Sequence, residues 1–292
     1  MLGCEASTQR AKLASMNSSL AHLDPVATQT ICAFAIGGLD PSGGAGLPAD
    51  IRAMRAFDVY CCGITSAVVA QNTRGVAQLE SVSATLLAAQ LDNLLDDIAP
   101  RALKIGLLPN VESVRVVAER LKYFEGVPII VDPVFAPSCG PIFSDQHTID
   151  ALCGLILPRA ELVAPNLLEA QQLSDLEIGN VAALHQAARD IHQRFGVANV
   201  LIKGGHAIEI EHRIGQSEAV DWLYDGQNFR DFRAPFQSGI EVRGTGCLLA
   251  SAIAAQRARK VLLPTSIEQA KSWLSGQIAS AAVIGQGRRV AW

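Results

Sequence analysis

A short segment near the C-terminus joins a glycine-rich turn to a reactive side chain. Arg243-Gly244-Thr245-Gly246-Cys247 runs directly into residues 248–255, which are rich in alanine and leucine. Glycine permits a tight turn and a close approach of backbone to ligand, and the Ala/Leu run strongly favours a helix. The free N–H groups at that helix start can bind an anion such as phosphate. Cys247 falls in the first turn, where a thiol pKa is expected to be lowered.

Glycine turns before helices are common, so this segment alone is a weak signature. A Rossmann dinucleotide site is disfavoured because its glycine motif belongs to the first strand–turn–helix unit of a domain. Here the motif stands near the C-terminus.

Polar residues that could bind a ligand or take part in catalysis also follow several short apolar runs. They are Asp50 after the loop 37–46, Gln71, Asp132, Asn166 with Glu169, and Lys203 before Gly204-Gly205. Ligands in α/β proteins bind outside the carboxyl ends of strands, so these groups are candidates for one common site.

Each of these residues also has a purely structural interpretation. Asp50 either complements a helix dipole from the first turn or contacts a ligand. Asp132, fixed by Pro133, either forms a turn or binds magnesium. Asn166 and Glu169 have the spacing of a helix cap or could handle metal and phosphate.

The elements that must position these residues alternate between strand and helix. The predicted strands are 31–36, 59–70, 102–106, 127–131, 161–164 and 200–202, and the predicted helices include 84–98, 111–124, 146–156, 181–194 and 267–284. Asp225-Gly226 between two apolar runs predicts a hairpin. The pattern predicts an α/β fold whose mostly parallel sheet is covered by helices on both faces.

Composition narrows the class of protein. The chain has 292 residues, a net charge of −4 and 5% aromatic residues, which disfavours nucleic-acid binding. No apolar run reaches the roughly 18–20 residues that span a bilayer, so no membrane partner is expected. The seven cysteines are odd in number and contain no C-x-x-C, which favours reduced thiols in the cytoplasm. Residues 1–30 are expected to be a loosely ordered extension before a single domain, 31–292.

Taken together, the motifs resemble the hydroxymethylpyrimidine/phosphomethylpyrimidine kinases of thiamine biosynthesis, in the ribokinase-like superfamily. The resemblance runs from about Ile31 to the last predicted helix. It is carried by motifs in family order: Asp40-Pro41-Ser42-Gly43-Gly44-Ala45-Gly46, Val69-Ala70-Gln71-Asn72-Thr73, Lys104-Ile105-Gly106, Asp132-Pro133-Val134, Pro165-Asn166-Leu167-Leu168-Glu169, Lys203-Gly204-Gly205-His206 and Gly244-Thr245-Gly246-Cys247.

The resemblance implies a three-layer αβα sandwich that phosphorylates 4-amino-5-hydroxymethyl-2-methylpyrimidine with ATP and then phosphorylates the monophosphate. It implies a homodimer that uses Mg²⁺. The residues implied to line the pyrimidine pocket are Gly38, Asp50, Val69, Gln71, Leu107, Val134 and Cys247. Asp50 and Gln71 have the hydrogen-bonding groups to read an aminopyrimidine edge.

The remaining site residues are also assigned by resemblance. Lys203, Gly205 and Asn166 would bind ATP, and Glu169 and Asp132 would organise Mg²⁺. Gly244, Thr245 and Gly246 would hold the transferring group through backbone N–H groups. Cys247 would accept the hydroxyl proton.

The chain departs from the family pattern in several places. Pro48 replaces a usual glutamine and Leu107 a frequent methionine. Arg243 replaces a common histidine, and Leu248 replaces a threonine, which removes a hydroxyl near the phosphates. The segment Ser138-Cys139-Gly140 also differs.

Two alternatives to this reading stay open. One is a pyridoxal kinase of the same superfamily, because its substrate is also a flat heteroaromatic alcohol. The other is a non-catalytic pyrimidine-binding regulator, because site residues rather than fold decide function.

Overall fold

The computed structural model describes residues 30–136, 143–204 and 218–291. Its strands are β1 (Cys32–Leu39), β2 (Tyr60–Gln71), β3 (Val76–Ser81), β4 (Leu103–Ile105), β5 (Ile129–Val131), β6 (Leu162–Val163), β7 (Asn199–Ile202), β8 (Glu218–Tyr224), β9 (Phe229–Pro235), β10 (Val242–Arg243) and β11 (Arg289–Val290). Its α-helices are α1 (Gly46–Ala56), α2 (Ala84–Asp97), α3 (Val111–Arg120), α4 (Gln146–Leu155), α5 (Leu167–Ser174), α6 (Val181–Phe195), α7 (Thr245–Ala258) and α8 (Leu263–Ala279).

Nine strands form one sheet in the order β3-β2-β1-β4-β5-β6-β7-β8-β9. The strands from β2 to β7 in this order run parallel, while β3 on one side and β8 on the other are antiparallel to their neighbours. The predicted hairpin is confirmed as β8 and β9, which pair from Glu218–Pro235 to Tyr224–Phe229. The antiparallel edge strand β3 was not expected from the sequence.

Helices cover both faces of the sheet, which confirms the three-layer arrangement. One apolar core contains side chains of α2 to α6 packed on the sheet. The other contains side chains of α1, α7 and α8. Helix α7 is buried on nearly all sides, as its continuous apolar sequence requires. The sheet is therefore shielded from water on both faces, as is usual for parallel strands.

Most predicted boundaries lie within two residues of the observed ones. The last helix differs because it begins at Leu263 and ends at Ala279, whereas 267–284 was expected. Pro264 occupies its first turn, where the missing N–H costs no hydrogen bond. The described residues from Ile31 onward cluster as one compact unit. Among the described residues, no helix has the length and apolar character needed to cross a membrane.

The last described residues, 285–291, form what we call the C-terminal strap. Strand β11 in this strap pairs in parallel with β10. The backbone N–H of Gly287 donates to Thr73 Oγ1 at 3.1 Å, and that of Arg288 donates to the Thr73 carbonyl at 2.9 Å. The Ala291 carbonyl accepts from Arg52 Nη2 at 2.9 Å. The strap thus ties the chain end to the turn after β2 and to helix α1.

Candidate active site

The predicted site residues converge at one edge of the sheet, at the carboxyl ends of the parallel strands. After β1 the chain continues to β2 on one side, and later places β4 on the other side of β1. Such a switch in direction opens a crevice at the strand ends, where ligands bind in open α/β sheets. The loop after β1, the end of β5 and the start of α7 all meet there.

Gly244 makes the sharp turn that starts α7. Its φ is 68°, in the left-handed region, and a Cβ there would collide with the Gly44 carbonyl oxygen. A side chain is therefore excluded both by backbone conformation and by space. The two glycine loops pack directly against each other, which brings the anion-binding helix start beside the loop after β1.

Gly246 faces a buried ion pair. A Cβ at this position would lie 3.2 Å from Lys203 Nζ and 3.5 Å from Asp132 Oδ1. Lys203 Nζ itself donates to Asp132 Oδ1 at 2.6 Å. The first turn of α7, the lysine that follows β7 and the aspartate that follows β5 thus share one small volume.

Three titratable groups in this volume control each other's charge. Burial favours the protonated form of Asp132, but the Lys203 and Lys104 ammonium groups hold its pKa below the usual range. Burial disfavours the charge of Lys203, yet Asp132 and Glu169 raise its pKa. Burial raises the pKa of Glu169 to about 7, and the Asp132 carboxylate adds to the rise against the opposing charge of Lys203. Glu169 is therefore the carboxyl group poised to change charge near neutral pH.

Asn166 and Glu169 are held by a capping box at the start of α5. The Asn166 side chain accepts from the Glu169 N–H at 2.9 Å, and Glu169 Oε2 accepts from the Asn166 N–H at 2.7 Å. The structural interpretation of the spacing is confirmed. A role in metal or ATP binding stays a prediction, and one Glu169 oxygen has no hydrogen-bond partner among the described residues.

Asp50, which was expected to line the pyrimidine pocket, is buried against Lys104 and Ser251. Its carboxylate is fully buried and accepts from Lys104 Nζ at 3.0 Å on both oxygens and from Ser251 Oγ at 2.7 Å. Burial raises the pKa of Asp50 against the opposing effect of Lys104. A direct contact between Asp50 and a pyrimidine amine stays a prediction, which this burial disfavours. The signal in the sequence was Lys104, a charged residue inside an apolar strand that needs a buried partner.

The expected low pKa of Cys247 is corrected by the structure. Burial raises the pKa of this thiol to about 12, and Asp132 and Asp50 add to the rise while Lys104 opposes it. The helix start was expected to dominate, but the sequence did not show that two carboxylates would lie nearby. At neutral pH the sulfur holds its proton in this geometry.

Four of the residues assigned to the pyrimidine pocket come together as an apolar wall. Val69 and Leu107 belong to a small buried cluster against which Val134 packs. A Cβ on Gly38 would lie 3.0 Å from Leu107 Cδ2 and 3.2 Å from Val69 Cγ2. A side chain at Gly38 would therefore require Leu107 or Val69 to shift. The wall is suited to the face of a flat ring, and its contact with substrate stays a prediction.

Gln71, at the end of β2, contacts the glycine turn of α7 through an arginine. Arg243 Nη2 donates to Gln71 Oε1 at 2.8 Å. This contact fixes the amide so that its NH₂ group remains available to a ligand as a donor. The sequence did not reveal the contact because 172 positions separate the two residues.

Gly205, assigned to ATP binding, lies outside the described residues, as does the segment Ser138-Cys139-Gly140. The adjoining Gly204 is held by Asp221. The Gly204 N–H donates to Asp221 Oδ1 at 2.9 Å, and Lys271 Nζ donates to Asp221 Oδ2 at 2.6 Å. This buried ion pair fixes the backbone next to Lys203 and was not predicted.

A cavity of about 310 Å³ opens at the same edge of the sheet, beyond Lys203. β9 runs in the same direction as β7, so its end at Pro235 lies at the carboxyl edge. Small residues of α8 form the opposite wall. The lining residues are Arg233, Ala234, Pro235, Gln237, Ser272, Ser275, Gly276 and Ala279.

A family model described as phosphomethylpyrimidine kinase matches residues 40–291. A hydroxymethylpyrimidine/phosphomethylpyrimidine kinase of Escherichia coli K12 is 34% identical over 261 residues, which cover 89% of this chain and 95% of that protein. The enzyme of that name from Synechococcus elongatus is 38% identical over 257 residues, or 88% of this chain and 94% of that protein.

Solved structures of two kinases have a similar fold. An ADP complex of Bacillus subtilis pyridoxal kinase has a TM-score of 0.80 and 27% identity, with 90% of this chain and 97% of that chain covered. Phosphomethylpyrimidine kinase of Clostridium difficile 630 has a TM-score of 0.72 and 29% identity, with 85% and 99% covered.

Proposed function

Because the chain belongs to the phosphomethylpyrimidine kinase family, we propose that it transfers the terminal phosphoryl group of ATP to 4-amino-5-hydroxymethyl-2-methylpyrimidine and then to the monophosphate. The observation that carries the proposal is the convergence of Lys203, Asp132 and the first turn of α7 in one volume beside an apolar wall. Phosphoryl transfer needs alignment and neutralisation of charge more than covalent chemistry. This site supplies both.

We assign the N–H groups of Thr245, Gly246 and Cys247, which lie in the first turn of α7, to bind the transferring group. Free N–H groups in the first turn stabilise charge that develops on phosphoryl oxygens. Lys203, next to Gly246, adds a positive charge. Gly244 and Gly246 keep side chains out of this space, so the phosphoryl group can approach the backbone.

In the first step the hydroxymethyl oxygen attacks the terminal phosphorus, and the bond from that phosphorus to ADP breaks. The hydroxyl proton passes to the sulfur of Cys247, which must first be a thiolate. Lys104 favours the thiolate, whereas Asp132 and Asp50 disfavour it. In the second step the acceptor is a phosphate oxygen that carries charge already, so no base is required.

Asp132 and Glu169 are suited to Mg²⁺ held together with ATP. No group of three or more metal-binding side chains occurs in the described ranges, which disfavours a cage made of protein alone. Mg²⁺ in kinases typically uses one or two carboxylates together with substrate phosphates. Both residues are carboxylates in one charged cluster. Burial raises the pKa of Glu169 to about 7, and the Asp132 carboxylate adds to the rise, so a bound cation would favour the charged form of Glu169. The ion would neutralise phosphate charge there.

We place the purine and ribose of ATP in the cavity between the end of β9 and α8. The support is its position on the edge that holds Lys203 and its wall of small residues. A second cavity of about 420 Å³, which includes Glu161 and Asn199, lies at the opposite edge, where these strands begin.

The same resemblance leads us to propose a homodimer in the cytoplasm. The support for a reducing compartment is that the cysteines Cys32, Cys61, Cys62, Cys153 and Cys247 are all free. Light scattering of the purified chain tests the dimer.

The test of the function is an assay of ADP release with Mg²⁺ and ATP. The hydroxymethylpyrimidine, its monophosphate and pyridoxal are offered separately. Turnover of the first two supports the proposal, and turnover of pyridoxal alone would replace it with a pyridoxal kinase. Folded protein that binds ATP and turns over none of the three would favour the non-catalytic regulator.

A further inference from the structure

Arg243 occupies a position between the two glycine loops and the predicted substrate pocket. It is the last residue of β10 and directly precedes the turn at Gly244. A Cβ on Gly44 would lie 3.3 Å from Arg243 Cβ and 3.4 Å from its Cδ, so the stem of the arginine packs on that glycine. The guanidinium then reaches Gln71 Oε1 at 2.8 Å. Contacts of Cβ and Cδ with Gly44, together with the hydrogen bond to Gln71, therefore hold the guanidinium at the predicted pocket.

The charge of Arg243 is not compensated by a carboxylate in the described part of the chain. The three lysines at this edge each have an acidic partner: Lys104 with Asp50, Lys203 with Asp132 and Lys271 with Asp221. Arg243 has only the neutral amide of Gln71, and its buried Nε has no hydrogen-bond partner among the described residues. Unused donors on a half-buried guanidinium cost free energy, and an anionic ligand that accepts from them removes this cost.

Arg52 is the other arginine near the loop after β1, and it is a weaker candidate. Its Nη2 donates to the Ala291 carbonyl at 2.9 Å. Burial lowers the pKa of Arg52, and the Asp40 and Asp50 carboxylates act in the opposite direction, so its charge is partly balanced by nearby acids.

The two acceptors of the proposed reaction differ mainly in charge. The alcohol is neutral, whereas the monophosphate brings about two negative charges at pH 7 toward a site that already holds Asp132 and Glu169. A guanidinium binds a phosphate through two parallel hydrogen bonds. We propose that Arg243 binds the phosphate of the monophosphate acceptor, and so makes the second phosphorylation favourable relative to the first. This inference rests on the proposed function.

The test compares Arg243→Gln and Arg243→Lys with the unaltered chain on both acceptors. Glutamine removes the charge but can still donate to Gln71. Lysine retains the charge but lacks the two parallel N–H donors of the guanidinium. For Arg243→Gln we expect the KM for the monophosphate to rise by about tenfold to a hundredfold, the value of a hydrogen bond to a charged group. The KM for the alcohol should change little, and Arg243→Lys should fall between. The matched control is Arg288→Gln, because Arg288 is another arginine, on the C-terminal strap, and its guanidinium pairs with Glu241.

Binding of the monophosphate without ATP, measured by calorimetry, gives a readout that needs no turnover. A weaker Kd for the monophosphate with an unchanged Kd for the alcohol supports the inference. Equal losses for both acceptors would show that Arg243 only positions Gln71, and no loss would show that its charge is not used; either result overturns the inference. If the unaltered chain binds both acceptors but phosphorylates neither, the proposed function fails while the binding comparison still decides the role of Arg243.

Discussion

Three pairs of buried charged residues in this protein would be costly to break: Lys104–Asp50, Lys203–Asp132 and Lys271–Asp221. Lys104 and Asp50 are the most enclosed pair, with side-chain exposures of 1% and 0%. A buried pair adds little net stability over an apolar equivalent, but the loss of one partner leaves an uncompensated charge. Each of these three pairs therefore depends on both of its members.

Asp50→Ala should lower the free energy of unfolding by about 3–5 kcal/mol because it leaves Lys104 buried without a partner. The double variant Asp50→Ala with Lys104→Met should lose much less. Urea denaturation of the two variants measures the difference. Equal losses in both would contradict the view that the unpaired lysine is the cause.

The pKa of Cys247 predicts how the first step responds to pH. Because burial raises the pKa of the thiol to about 12, the thiolate fraction increases about tenfold for each pH unit below that value. If Cys247 is the base, the rate with the alcohol should rise steadily between about pH 6 and 9, because the rate of general-base catalysis follows the deprotonated fraction of the base.

The monophosphate provides the internal control for this pH profile, since its acceptor oxygen needs no base and its rate should not follow the thiolate. Cys247→Ser should abolish the slope for the alcohol. A rate with the alcohol that is level above neutral pH would show that Cys247 does not act from the protonation state seen here.

At the scale of elements, the start of α5 combines a helix cap with a proposed contact to Mg²⁺. The capping box fixes Glu169 at the edge of the charged cluster. The same spacing could be recognised in the sequence because a cap is a local arrangement over four residues. The pairs Lys104–Asp50, Lys271–Asp221 and Arg243–Gln71 could not, since each joins residues at least 50 positions apart whose approach depends on strand order.

Glu169→Gln should separate these two roles. Glutamine preserves the capping box but removes the charge, so the KM for Mg²⁺-ATP should rise by about tenfold, the effect of one lost charge-assisted contact. Asn180→Ala is the control: Asn180 caps the neighbouring helix α6, and its loss should cost about 1 kcal/mol without changing that KM. An unchanged KM in Glu169→Gln would remove Glu169 from the metal site.

The same variant should alter how stability depends on pH. The folded pKa of Glu169 is raised from 4.5 to about 7, so its stabilising contribution is complete below pH 4.5 and is lost as pH rises through 7. At about 1.4 kcal/mol per pH unit, this amounts to roughly 3 kcal/mol. Glu169→Gln should therefore be the more stable protein at pH 8, and the advantage should disappear in acid.

The cavity beside α8 gives a test of the nucleotide site. A Cβ on Gly276 meets nothing within 4 Å, and the same holds for Gly154 in α4. Gly276→Leu should fold and fill the cavity, so the KM for ATP should rise while the Kd for the pyrimidine stays the same. Gly154→Leu should affect neither. If both variants bind ATP normally, the purine lies elsewhere.

For the whole molecule, the alternation of strands and helices was sufficient to predict the class of fold. Each parallel strand is a short apolar run, and the turn at Asp225-Gly226 marked the hairpin at one edge. Strand β3 was missed because its residues, Val-Ala-Gln-Leu-Glu-Ser, are largely exposed and bear no continuous apolar pattern. Its pairing with β2, rather than its own composition, makes it a strand.

A chain that starts at Thr30 should retain the fold and the turnover of both acceptors. The compact unit begins at Ile31, and the family match begins at residue 40. Circular dichroism and the ADP-release assay check this expectation. A shortened chain that folds but loses activity would assign a catalytic or binding role to the N-terminal segment.

The C-terminal strap has a consequence for the order in which the protein is made. Residues 287–291 hydrogen-bond to Thr73, in the turn after β2, and to Arg52, in helix α1, both of which are synthesised near the beginning of the domain. During translation these two segments emerge long before the residues that hydrogen-bond to them. The candidate pocket therefore receives these supports only after residues 287–291 have been synthesised, and a product that terminated before them would lack the supports even with every predicted catalytic residue present.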